Sequence, residues 1–192
     1  STLLASSAAS DVYKRQENRF NNAGNILASG NPNNNSGYLK INLGENTQDI
    51  VIESSGKLAS NNTMTLITGG NISNGGRLQN PGGLDFQAGG NITNSGMLVS
   101  LGDIKLTGKN VINQGLNGEA STIWSNSNID IFAKDKIENK SGGVIEAKKN
   151  INLKSTELLN EDSIIQAGGD ITIKADKGTV SYTHLRAHET LA

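Results

Sequence analysis

The sequence predicts an all-β chain wound as a single-stranded parallel β-helix (a β-solenoid), with about 20 residues per coil and roughly 7–8 coils. Three observations predict it. Between Ser55 and Gln114 the chain repeats itself three times, as SGKLASNNTMTLITGGNISN, GGRLQNPGGLDFQAGGNITN and SGMLVSLGDIKLTGKNVINQ. Within each line apolar residues alternate in short runs and do not recur at the i, i+3, i+4, i+7 spacing of a helix. Gly and Asn, 23 and 26 of the 192 residues, fill the gaps between the runs and mark them as turns.

The alignment defines columns that should face a common interior. Leu58, Leu78 and Leu98 form the first, continued by Ile123, Ile145 and Ile165. Met64, Leu84 and Ile104 form the second, continued by Ile129, Ile151 and Ile171, with partners two residues further on (Leu66, Phe86, Leu106, Ile131, Leu153 and Ile173). Ile72 and Ile92 begin a third. Steps along the second column are 20, 20, 25, 22 and 20 residues, and the 25-residue step holds an insertion around Leu116 to Thr122, read as a loop leaving one coil. Insertions of this kind leave the other columns in register. Ala88, Gly108, Ala133, Ser155 and Ala175 share a column of small residues, expected at a corner with little room.

Turns favour residues that tolerate positive φ, and Gly and Asn do so most readily. Asn74, Asn94, Asn113, Asn139 and Asn160 recur at spacings of 20, 19, 26 and 21 and are read as structural turn residues. Stacked Asn side chains in successive coils can also form an amide ladder. From Glu17 to Glu53 the repeat is blurred: Leu39, Ile41 and Leu43 alternate, as do Ile50 and Ile52, while Asn31 to Ser36 reads as a loop. One or two irregular coils are expected there, with regular coils from about residue 54.

The two ends fall outside the repeat. Ser6–Gln16 (SSAASDVYKRQ) and Val180–Thr190 (VSYTHLRAHET) resemble translated sequencing-adapter sequence in the orientation expected at each end of an insert. Residues 1–16 and 180–192 are therefore read as a non-native leader and tail around a repeat domain at 17–179. That domain is read as an internal fragment of a longer protein, and its cut faces as prone to end-to-end self-association. Both histidines, His184 and His188, lie in the tail, and the chain has no Cys.

Composition narrows the function. No apolar run approaches the roughly 20 residues that span a bilayer. A net charge of −1 and three interleaved lysines at Lys148, Lys149 and Lys154 argue against a nucleic-acid partner. The unit N-x-x-G-x-[IL]-x-A-x-x-[GND]-[ND]-I-x-[IL]-x-[AST] is matched best at Asn94–Gly108, Asn139–Ser155 and Asn160–Ala175. It resembles the haemagglutinin repeat of filamentous-haemagglutinin-like exoproteins over about Ser54 to Ala175. The resemblance implies a right-handed β-helix, in keeping with the handedness of parallel crossovers. It also implies a secreted protein at the outer-membrane surface of a Gram-negative bacterium. Its partners would be an outer-membrane two-partner-secretion transporter, engaged by a region outside this chain, and a receptor or glycan on a host or neighbouring cell. The role implied is the shaft of an adhesin or of a contact-dependent inhibition filament.

No catalytic, cofactor or metal set is expected. Gly168-Gly169-Asp170-Ile171 resembles part of a calcium-binding nonapeptide, but no nine-residue recurrence follows. Asp103 and Asp170 share a column with Asn128 and Asn150, a pattern that suits turn-capping groups better than metal ligands. The alternative function is a carbohydrate-active β-helix enzyme. A lyase would need an Arg or Lys base beside acidic calcium ligands, yet outside the flanks only Arg19 and Arg77 remain. Paired-carboxylate hydrolysis would draw on Asp85, Lys105 and Asp130, which share an outward column; alternating charge on a solvated face explains them equally. Trp124 follows the inward Ile123 and should point outward beside the inserted loop, as a candidate carbohydrate or protein contact.

Overall fold

The computed structural model describes residues 10–11, 19–176, 180–182 and 185–187, the segments 10–11, 180–182 and 185–187 as backbone only. Among the described residues, apart from a 3₁₀ turn at Pro32–Asn34, every regular element is a strand, and the strands pair in parallel. The chain is a parallel β-solenoid with three faces. One full coil runs through Met64–Thr68 on the first face, Ile72–Asn74 on the second and Arg77–Asn80 on the third. The next coil repeats this at Leu84–Ala88, Ile92–Asn94 and Met97–Ser100, one level up.

The third face is one eight-stranded sheet. The first two faces join into a 14-stranded sheet because Ile104–Gln114 and Ile129–Lys140 run unbroken across the corner between them. A register shift between Gly108 and Asn110 turns that corner. Seven steps of about 4.8 Å give the third face an axial length of about 34 Å.

The aliphatic columns are in register and inside. Leu58 pairs with Leu78, Leu78 with Leu98, Leu98 with Ile123, Ile123 with Ile145 and Ile145 with Ile165, all with essentially no exposed surface. Met64, Leu84, Ile104, Ile129 and Ile151 stack likewise on the first face. Ile171 continues that register but is only partly buried, because among the described residues no strand pairs with the far side of Ile171–Ala175 on this face. Phe20, Ile50, Ile72, Ile92, Val111, Ile137 and Leu158 complete the core from the second face.

The early coils have a definite register. Ile26 pairs with Leu58, a step of 32 residues, and Ile50 pairs with Ile72. Most of the extra length is in the Gly30–Gly37 excursion around the 3₁₀ turn, where the Asn31 side chain accepts the Asn33 N–H at 2.9 Å; the rest is in the two following corners. In the flanks, Ser10–Asp11, Val180–Tyr182 and Leu185–Ala187 each pair in parallel with the neighbouring coil. The remainder of the adapter-like segments, with His184 and His188, lies outside the described residues.

The turn chemistry differs from the expectation of positive φ. Among the described residues only Gly37, Gly44, Gly83, Gly118 and Gly142, with Asn35, Asn117, Ser141 and Asp162, adopt it. None of the recurring Asn at 74, 94, 113, 139 and 160 does: each closes the inward side of a second-face strand. The corner glycines Gly56, Gly76 and Gly96 answer a different demand. A Cβ on Gly96 would fall inside the carbonyl oxygen of Gly76, and one on Gly76 inside that of Gly56. Successive coils approach too closely there for any side chain.

Candidate functional site

The polar groups inside the solenoid form a continuous ladder. Asn74, Asn94, Asn113, Asn139 and Asn160 are all at least 98% buried. Each Nδ2 donates to the Oδ1 of the next amide at 2.8 Å, from Asn74 to Asn94, Asn113, Asn139 and Asn160 in turn. The second Nδ2 proton goes to the backbone at the start of the third-face strand above: Met97 O, Thr122 O, Val144 O and Ile164 O at 2.9–3.3 Å. Both donors of the first four amides are thereby used, which buried polar groups require. The amide dipoles all point along the axis in one sense and polarise one another. Below Asn74 the same column holds Ile52, and below that Asn22, whose amide instead closes a local turn with Gly24.

Two shorter ladders run along the exposed corner before the second and first faces. Asp49 Oδ1 accepts the Asn71 backbone N–H at 2.8 Å, and Asn71 Oδ1 accepts that of Asn91 at 2.8 Å. Asp103, Asn128, Asn150 and Asp170 repeat the pattern one corner away, at 2.8–3.2 Å. The Ser127 side chain and the Asn128 backbone N–H hold the Asp103 carboxyl below its ordinary range. The acids Asp49, Asp103 and Asp170 are end rungs; Asn71 and Asn128 also donate Nδ2 to Asp49 and Asp103, at 3.0 and 3.1 Å. Among the described residues no group of three or more His, Cys, Asp or Glu is placed to hold a metal ion.

The outward columns carry the charge. Asp85 pairs with Lys105 and Lys105 with Asp130, as neighbours on three successive coils. Asp85 accepts from Gln87 Nε2 at 3.1 Å and Asp130 from Asn152 Nδ2 at 2.7 Å. Arg77 turns away from them on the third face and donates to Gln79 at 2.7 Å. On the second face Glu138 lies between Lys136 and Lys140, 2.8 and 3.0 Å from their Nζ atoms. Burial pushes the Glu138 carboxyl up, but the hydrogen bonds from Lys136 and Lys140 outweigh it and leave the group below its ordinary range. The same contact raises Lys136.

Trp124 is on the outward side of Thr122–Ser125, half-buried, between Val99 on the coil below and Glu146 on the coil above. The inserted segment precedes it, closed at its neck by a Leu116–Glu119 bridge. Met97, Val144 and Ile164 share this face. Sequence reasoning on Trp124 alone missed those neighbours, although their common position in the 20-residue frame carries the signal. It also missed Phe132, a 40% exposed ring on the first face.

Stacked coils, internal amide ladders and alternating outward charge define a structural repeat protein. Residues 17–141 and 128–181 match the sequence model of the family described as Haemagglutinin repeat. The chain belongs to the haemagglutinin repeat family, whose units are structural and adhesin-type and not typically enzymatic. Comparison with curated proteins and with solved structures finds no match.

Proposed function

We propose that this chain is a length of the shaft of a secreted bacterial surface adhesin or contact-dependent inhibition filament. It would be exported by two-partner secretion and displayed at the outer-membrane surface of a Gram-negative cell. The observation that carries the reading is the unbroken register of the third face, seven strands deep within residues 17–179, in a chain whose family is adhesin-type. A rod of this kind acts by geometry: it holds distal modules away from the membrane, and each coil adds a fixed rise.

The test is export. The chain is fused behind a two-partner secretion domain and co-produced with the matching outer-membrane transporter. Surface labelling of intact cells should then detect it. Retention in the periplasm, with the transporter shown to export its own substrate, would overturn the reading. Trp124 is proposed as a contact to a receptor or glycan because it stands outward between Val99 and Glu146, on the face that also carries Met97, Val144 and Ile164. Trp124→Ala should weaken cell binding by the displayed filament; unchanged binding would dispose of that role.

A further inference from the structure

On the first face a groove runs parallel to the axis. One depression of about 640 Å³ is lined by Asn42, Glu45, Ile67, Thr68, Gln87 and Thr107 among others. A second, of about 330 Å³, is lined by Thr107, Phe132, Lys134, Lys154, Ser155 and Asp176 among others. The two meet at Thr107. Their floor is a single outward column, in which Ile67, Gln87, Thr107, Phe132 and Lys154 are partners on successive coils.

The two halves differ in chemistry. The lower half sets the side chains of Asn42, Gln87 and Thr107 beside Ile67 and glycine backbone, with Glu45 at its edge; the Thr68 hydroxyl is buried and donates to the Gln48 carbonyl. The upper half presents the exposed Phe132 ring with Lys134 and Lys154 beside it, and Lys174 continues the column above Lys154. Asp176 is the one acid lining this half; Asp130, two residues before Phe132, is engaged by Asn152. Among the described residues no salt bridge involves Lys134, Lys154 or Lys174. An aromatic face beside cations outside any salt bridge, opening into a mostly uncharged floor of Thr107, Gln87 and Ile67, fits a chain that is apolar on its ring faces, hydroxylated at its edges and anionic. One coil rises about 4.8 Å, close to the repeat of one pyranose in an extended chain, so successive sugars would meet equivalent positions on successive coils.

We infer that this groove binds an acidic polysaccharide of the uronate type, with one sugar ring on Phe132 and its carboxylate between Lys134 and Lys154. The inference deepens the adhesin reading by giving the shaft a ligand of its own. It uses residues on a different face from Trp124, and export of the shaft does not depend on it.

The probe is a hexamer of β-1,4-linked mannuronate, titrated into the whole chain by calorimetry at low and at moderate salt. Its methyl ester and a hexaglutamate peptide serve as comparisons. The mannuronate should bind, and the ester, which keeps the rings but loses the charge, should bind at least tenfold more weakly. Phe132→Ala and Lys154→Gln should each weaken binding about tenfold. Both side chains are exposed, and an unchanged circular dichroism spectrum confirms folding; Lys57→Gln on the third face should leave binding as it was. Three results would overturn the assignment: no binding of the mannuronate, equal binding of the peptide with no loss in Phe132→Ala, or a loss in Lys57→Gln as large as that in Lys154→Gln.

Discussion

Asn113 stands in the middle of the buried ladder, and its neighbours depend on it from both sides. Asn113→Ala removes the acceptor of Asn94 Nδ2 and the donor to Asn139 Oδ1, leaving both groups in a dry interior. Stranded buried polar groups of this kind cost about 1–3 kcal/mol each, so a loss of about 3 kcal/mol is expected in urea unfolding. A loss under about 0.5 kcal/mol would mean that the amides contribute no net stability. Gly96 makes a second test. Gly96→Ala places a methyl group against the Gly76 carbonyl and should destabilise by about 2–3 kcal/mol, as overpacking does. Gly24→Ala, with open space around it, should be near neutral in the same assay.

Glu138 gives the residue scale its pH dependence. Its carboxyl is held below the ordinary range in the fold by Lys136 and Lys140, against the opposing effect of burial. A depressed folded value means that its contribution is fully present above the ordinary glutamate range and is lost as pH falls through the folded value. Melting temperatures at neutral pH and near pH 3 should therefore differ less in Glu138→Gln than in the parent chain. An identical difference in the two proteins would show that the Lys136–Glu138–Lys140 contact carries no linkage.

A coil is a strand triplet with three corners, and its corners tolerate change unequally. The Leu98 to Ile123 step of 25 residues differs from its neighbours at the corner between the second and third faces, where the exposed residues 116–120 protrude. Deleting residues 116–120 returns that step to 20 and should change the unfolding free energy by less than about 1 kcal/mol, since exposed loop length is thermodynamically cheap. Deleting five residues from within Ile104–Gln114 should abolish folding, because it removes inward core positions and turns the rest of that strand's inward side chains to the other face.

The same contrast explains what could be read in advance. From Leu58 to Ile165 the period-2 alternation and the near-constant step fix both the inward side and the partner of each strand, so the columns were legible. The first coil was not: the segment around Pro32–Asn34 breaks the period, and the 32-residue step from Ile26 to Leu58 has no second copy in the chain. The recurring Asn were visible as a set, but their conformation was not. Spacing alone does not distinguish a positive-φ turn residue from a buried rung in ordinary extended backbone. The Phe132 groove was hidden for a further reason. Outward columns carry no hydrophobic pattern, so which of them line a depression shows only in the folded chain.

At the scale of the whole molecule each coil depends on its neighbours, since its strand hydrogen bonds and its stacked apolar columns are shared with the coils above and below. Ile171–Ala175 pairs on one side with Ile151–Ser155, and Ile171 and Ile173 are only partly covered. We propose that this end associates with a second copy of the chain. Light scattering at rising concentration should show species heavier than the monomer of 20.1 kDa, and a constant monomer mass would count against it.

The stacking itself is open to a direct distance measurement. Lys57 and Ile164 lie roughly a hundred residues apart in sequence but in one outward column, through Arg77, Met97, Thr122 and Val144. The chain has no cysteine, so Lys57→Cys and Ile164→Cys can carry a pair of spin labels without background. Five coil steps place their backbones about 24 Å apart, and pulsed dipolar spectroscopy should return a narrow distribution near that distance. A broad distribution centred near about 55 Å, as an unstacked chain of this length would give, would contradict the solenoid.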